Sequence, residues 1–146
     1  MTLPILVDTD MALDDWMAIA LLRASPRADL RAITIAATGE AHAGPGVDNA
    51  LRLLALVDDP VHRGPVDVAA GRDAPLGVPR SFPWLVRKLM DWRFFFRWPA
   101  PKQAPSTAGA VAVLRDQLRS STTPLTILAI GPLTNLAELL TTHPDV

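Results

Sequence analysis

Short apolar runs alternate with longer amphipathic stretches along the chain, and their order predicts an architecture before any motif is considered. Residues 3–7, LPILV, form an apolar run ending on Asp8, which predicts a buried strand. After an acidic turn, DWMAIALLRAS (15–25) combines helix-favouring Ala, Leu and Met with acidic residues at its start and meets a Ser-Pro stop, so a helix is expected. The β-branched stretch LRAITIAATG (30–39), closed by glycine, predicts a second strand. In GPGVDNALRLLALV (44–57), Val47, Ala50, Leu51 and Leu54 fall at i, i+3, i+4 and i+7, one stripe of a helix. PVDVAAG (65–71) predicts a third strand. From 72 to 105 the chain is rich in proline and tryptophan and shows no regular period. The one candidate linker, RWPAPKQAPST (97–107), is semi-rigid through its prolines and reads as a loop inside a single domain. Helical spacing resumes in 106–120 at Val111, Leu114 and Leu118, and LTILAIG (125–131) predicts a fourth strand. PLTNLAELLTT (132–142) predicts a helix with Pro132 in its first turn and Leu133, Leu136, Ala137 and Leu140 on one face.

Strand and helix thus alternate four times, and the strands are almost wholly apolar rather than alternating. That is the pattern of an open, mainly parallel sheet with helices on both faces, an α/β fold. In such folds ligands bind outside the carboxyl ends of the strands. Three unusual local sequences fall there: the aspartates after the first strand, TGEAH after the second and IGPLTN after the fourth.

Composition narrows the function without naming it. The chain has 146 residues, 49% of them apolar, enough for one core. Its 14 basic and 15 acidic residues are mixed along its length, which argues against nucleic acid or an anionic membrane as partner and for a small polar molecule. There is no cysteine, so disulfides and thiolate chemistry are excluded, as a reducing compartment such as the cytoplasm permits. The start, MTLPILVDTD, lacks a basic leader, and no apolar run approaches the ~20 residues that span a bilayer. A soluble, cytoplasmic protein is expected.

DTDMALDD places Asp8, Asp10, Asp14 and Asp15 within eight positions, at a junction between two apolar segments. Crowded carboxylates repel each other, and a hard divalent cation bound through oxygen relieves that repulsion. The plain alternative is an N-cap, but capping one helix needs only one side chain. Asp14 and Asp15 begin the predicted helix, so Asp10 and Asp15 are placed to share an ion while Asp14 points to a neighbouring spot.

The same string resembles the amino-terminal signature of the inosine-uridine-type nucleoside hydrolases, Asp-x-Asp-x-Gly-x-Asp-Asp, with all four aspartates in register. The segments 30–56, 66–76 and 126–140 resemble that family's second, third and fourth strand units in order, including the Gly-x-Leu-Thr-Asn turn. The resemblance implies calcium-dependent hydrolysis of the N-glycosidic bond of a small-molecule ribonucleoside to free base and ribose. It implies Asp10 as general base and metal ligand, Asp15 as metal ligand, Ile130 as a ligand through its backbone carbonyl, and Asp14 as a partner of a ribose hydroxyl. Glu40 stands where the family usually has an asparagine, and it is expected to reach the ribose or the water.

Other departures shape the expectation. Ala12 replaces the glycine of the signature, which tests whether that turn needs a positive φ. His42 is expected to be solvated, Asn49 either to pack within its helix or to reach the active site, and Asn135 to fix the turn after the fourth strand. Trp84, Trp92 and Trp98 with Phe94, Phe95 and Phe96 are expected to pack this irregular segment, the alternatives being a base-stacking pocket or an oligomer contact. The sequence ends at THPDV, and His42, His62 and His143 do not match the family's later histidine motif. Residues 1–146 are therefore expected to be a single, incomplete nucleoside hydrolase domain, truncated after the fourth strand-helix unit and of low or no activity alone. A homo-oligomer or a complementary carboxyl-terminal chain is left open. Two alternatives stand beside this: a non-catalytic remnant or partner module of such an enzyme, and a haloacid-dehalogenase-like phosphatase, which Ala12 disfavours because that class carries Thr or Val two positions after its second aspartate.

Overall fold

The computed structural model describes residues 2–57, 64–77, 82–92 and 98–146. His62 and Phe94 to Phe96 lie outside the described residues. Among the described residues four strands, β1 (Leu3–Thr9), β2 (Ala28–Ile35), β3 (Asp67–Ala70) and β4 (Thr126–Ala129), form one parallel sheet in the order β3-β2-β1-β4. The described residues also form the helices α1 (Leu13–Ala24), α2 (Ala43–Leu56), α3 (Trp84–Asp91), α4 (Ala110–Ser120) and α5 (Thr134–Thr142). The open parallel α/β sheet matches the sequence expectation.

Both sheet faces are covered, which is why the strands read as continuous apolar runs. Ile5 and Val7 of β1 face a core with Trp16 and Ile19 of α1, Leu51 and Leu54 of α2, and Met90 of α3. Leu6 faces the opposite core, with Val113 and Leu114 of α4 and Leu139 of α5. The register between β1 and β2 shifts once: Ile5 pairs with Leu30 but Leu6 with Ala32, leaving Arg31 as the extra residue. That bulge lets Leu30 and Ile33, three apart, join the same core, and it sets Asp8 opposite Thr34.

The predicted stripe of α2 is buried as expected, with Val47, Ala50, Leu51 and Leu54 all in the core. Three local expectations are corrected. The segment 72–105 contains a regular helix after all, α3, whose inward residues are Arg87 and Met90 rather than an apolar stripe. Pro132 lies before the N-cap of α5, Leu133, and not in its first turn. The inner face of α5 is Asn135 and Leu139, while Leu133, Ala137 and Leu140 are exposed. A buried hydrogen bond from Asn135, described below, outweighs the apolar count.

The tryptophans divide. Trp98 packs edge-on against Trp16 with ring centroids 4.7 Å apart. Trp84 and Trp92 are 72% and 60% exposed, so packing does not explain them. No helix among the described residues is long and apolar enough to cross a membrane.

Candidate active site

The chain moves from β1 to β2 on one side and returns to β4 on the other, so the sheet reverses its winding between β1 and β4. The crevice at the carboxyl ends of those strands is where an open α/β sheet places its ligand. Asp8 and Thr9 end β1 and Asp10 follows directly. Ile130 follows β4, and its N–H donates to the Asp8 carbonyl at 2.9 Å. The structure therefore brings Asp10, Asp15 and Ile130 to one rim of the sheet.

The turn after β1 is tight. Met11, fully buried, takes φ 59°, while Ala12 has φ −63°. The left-handed residue is thus Met11, and alanine at the glycine position of the signature is unstrained. The Met11 N–H donates to Thr9 Oγ1 at 2.8 Å, and Thr9 Oγ1 donates to Asp15 Oδ2 at 2.6 Å. Asp15 also accepts the Ala12 N–H at 3.2 Å. Ala12 is the N-cap of α1 and offers no side-chain acceptor, so none of the four aspartates occupies the N-cap position.

Asp10 is held from the β2–α2 loop. Its Oδ2 accepts the Glu40 N–H at 3.0 Å, and its carbonyl accepts the Ala41 N–H at 3.0 Å. Gly39 lies flat against it: a Cβ there would stand 2.6 Å from Asp10 Cγ and closer still to Cβ and Oδ2. Gly131 approaches from the other side, where a Cβ would stand 2.6 Å from the Asp10 nitrogen. Glycine at position 39 is thus required by proximity, since no side chain fits. Gly39→Ala is expected to cost about 1–3 kcal/mol through overpacking. An unchanged midpoint in thermal unfolding would refute this close approach.

The electrostatics are those of crowded carboxylates. Asp10 and Asp15 are buried, Asp14 is exposed and Glu40 is half-buried. Burial, with repulsion from Asp10, pushes the Asp15 carboxyl up to about 6 despite its bonds from Thr9 and Ala12. Burial, then the charges of Asp10 and Asp14, also raises Glu40. Burial raises Asp8 most directly; hydrogen bonds from Thr34 and Asn135 oppose the shift and Asp10 adds to it. Carboxylates this close and this dry favour either a retained proton or a bound cation.

The donors fit a hard cation as part of a shell. Asp10 and Asp15 offer carboxylate oxygens and Ile130 a carbonyl at the same rim, but calcium takes six to eight oxygens. Among the described residues no group of three or more His, Cys, Asp or Glu side chains is arranged to hold a metal.

A second layer that sequence reasoning missed lies beneath. Asp8 is fully buried and its Oδ1 accepts from Thr34 Oγ1 at 2.6 Å and Asn135 Nδ2 at 2.7 Å. Asn135 therefore does more than fix its own turn: it anchors α5 to the central strand. Thr38 and Thr134 share a hydrogen bond of 2.8 Å, tying the β2–α2 loop to the start of α5. Asn49 packs between helices, donating to the Met90 carbonyl at 3.0 Å. His42 is not merely solvated, because its Nδ1 lies 2.6 Å from Asp91 Oδ2. The only advance signal for the Asp8 network was its place in the four-aspartate string.

The four strands form a parallel sheet whose winding reverses between β1 and β4, with carboxylates at that point, the place where doubly wound folds hold their ligands. Residues 5–146 match the model of the family described as inosine-uridine preferring nucleoside hydrolase, and the chain belongs to that family. It is 37% identical over 149 residues to the pyrimidine-specific ribonucleoside hydrolase RihA of Citrobacter koseri, covering 100% of this chain and 45% of that protein. The RihA of Escherichia coli O9:H4 is 36% identical over the same length and coverage. Among solved structures, the plant nucleoside hydrolase PpNRh1 superposes with a TM-score of 0.79 at 26% identity, covering 99% of this chain and 44% of its own. The chain thus spans less than half the length of these relatives. The family match carries the nucleoside-hydrolase reading over the phosphatase alternative.

Proposed function

We propose that residues 1–146 form one unit that supplies part of the active site for calcium-dependent hydrolysis of the N-glycosidic bond of ribonucleosides. The observation that carries this reading is the buried Asp10–Asp15 pair at the β1–β4 crevice, in a chain of this family. Asp10, Asp15 and the Ile130 carbonyl would hold the calcium ion. When bound, the ion supplies positive charge that neutralises the carboxylate pair and acidifies a water. Asp10 accepts the proton of the attacking water as that oxygen bonds to the anomeric carbon and the bond to the base breaks. Asp14, exposed at the start of α1, accepts a hydrogen bond from a ribose hydroxyl, and Glu40 serves the ribose or the water from the β2–α2 loop. The surrounding carboxylates also favour the positive charge that develops on the sugar.

Uridine is the first substrate to test, because both RihA relatives are named as pyrimidine-specific. The 146-residue chain alone is expected to bind calcium only weakly, with Kd about 10⁻⁴ M or above, since its named donors fill only part of a shell. Titration calorimetry with an assay of base release measures both. Tight, stoichiometric calcium binding would contradict the partial shell, and a chain that neither binds calcium nor, joined to a complementary polypeptide, releases uracil would overturn the hydrolase reading.

One observation favours a second reading, a module that works only with a complementary chain or a second copy. The edge strand β4 leaves Ile127 and Leu128 half-buried, and Leu133 and Leu140 of α5 are about 60% exposed.

A further inference from the structure

Helix α3 carries a buried cation. Arg87 is 9% exposed, and its Nη2 donates to the Ala37 carbonyl at 2.6 Å and to the Ala41 carbonyl at 3.3 Å. Asp73 stands 3.9 Å from the same nitrogen, and Nε is buried without a hydrogen-bond partner. A guanidinium taken out of water is costly, and an apolar side chain of similar volume stabilises a core at least as well. Its placement therefore points to what it holds.

What it holds is the loop that grips Asp10. Ala37 and Ala41 bracket Gly39 and Glu40. The inner side of this segment gives the Glu40 N–H to Asp10 Oδ2 and the Ala41 N–H to the Asp10 carbonyl. Its carbonyls at both ends go to one guanidinium. The rest of α3 is fastened to the same region: Asp91 accepts the His42 N–H at 2.9 Å, and the Met90 carbonyl accepts from Asn49. Carbonyls four residues apart, fixed by one planar donor, define the curvature of the loop between them.

We propose that Arg87 is a positioning residue that, by clasping the Ala37 and Ala41 carbonyls, sets the Glu40 N–H against Asp10 and so fixes the orientation of that carboxylate. This rests on the reading of Asp10 as the working carboxylate, but its physical content is a loop geometry that needs neither metal nor substrate. The Pro- and Trp-rich segment thus reaches the acidic crevice through the backbone of a neighbouring loop.

Residue-resolved amide hydrogen exchange on the 146-residue chain tests it. Arg87→Met keeps the aliphatic stem and removes the donors. It is expected to speed exchange of the Glu40 and Ala41 amides by about tenfold or more, the loss of one or two charged hydrogen bonds. The amides of Val7, Ile33 and Ile35 in the sheet should stay within about twofold of wild type, and the Asp10 carboxyl carbon resonance should shift. Should Arg87→Met fail to fold, Arg87→Gln, which stays polar but lacks the Nη2 donor to both carbonyls, is read in the same way. Unchanged Glu40 and Ala41 rates overturn the proposal. So does a parallel rise across the sheet, which would mean that Arg87 only stabilises the fold. A chain that shows the expected exchange pattern but neither binds calcium nor, joined to a complementary polypeptide, releases uracil would count against the hydrolase reading and leave the clasp standing.

Discussion

Asp10→Asn is expected to lower kcat by about 10²–10⁴-fold in a form of the protein that releases uracil from uridine, the range for losing a general base. The fold should survive, because the asparagine side chain keeps an oxygen for the Glu40 N–H, which donates to Asp10 Oδ2. It also removes one member of the carboxylate pair, whose repulsion helps push Asp15 up to about 6. Turnover should therefore collapse without loss of thermal stability. Asp14→Ala should behave differently, raising KM as well, because its proposed partner is a sugar hydroxyl present in the ground state. Steady-state kinetics on the two variants separates these roles; an Asp10→Asn enzyme within tenfold of wild-type kcat would remove Asp10 from the chemistry.

The second large effect lies one layer below. Asn135→Asp would set a second carboxylate against Asp8 Oδ1, which now accepts the Asn135 Nδ2 at 2.7 Å with both residues fully buried. Breaking a buried charge-bearing pair typically costs about 3–5 kcal/mol, a large share of the stability of a domain this size. Partial or complete unfolding at neutral pH is expected. The sign of the pH dependence follows from proton binding: a carboxyl raised in the folded state is protonated more readily there than in the unfolded chain. Stability therefore falls as pH rises from the unfolded value, about 4, through the folded one. The variant should recover on acidification, once one carboxyl of the pair takes up a proton. Wild type should show a weaker trend of the same sign, from Asp15 between about pH 4 and 6, with Asp8, also raised by burial, adding to it in the same direction. Denaturant unfolding at two pH values measures both, and an Asn135→Asp chain as stable as wild type at pH 7.5 would exclude the buried pairing.

Much of this molecule was legible in its sequence. The four strands and the helices α1, α2, α4 and α5 are where apolar runs and helical spacing put them, because each is built from its own consecutive side chains. The acidic string had to fall at a strand's carboxyl end, since it follows the first apolar run directly. The four carboxylates also signalled their own chemistry, as like charges crowded into eight positions require an explanation wherever the chain leads them.

Tertiary structure decided the rest, and in each case a partner distant in sequence was the cause. Helix α3 escaped notice because its inward side chain is an arginine, stable there only through carbonyls about 46 to 50 residues away on another loop. The inner face of α5 was misassigned because Asn135 turns inward to a carboxylate 127 residues earlier, while Leu133 and Leu140 are left outside. His42 gained Asp91 as a partner only when α3 folded over the β2–α2 loop. Periodicity counts apolar side chains along one element and is blind to a buried polar group whose burial depends on a hydrogen bond from elsewhere. The sequence by itself determined the order of the layers and the location of the acidic crevice. Which polar side chains hold that crevice in shape was decided by the strand order β3-β2-β1-β4, which sets the ends of β1 and β4 side by side.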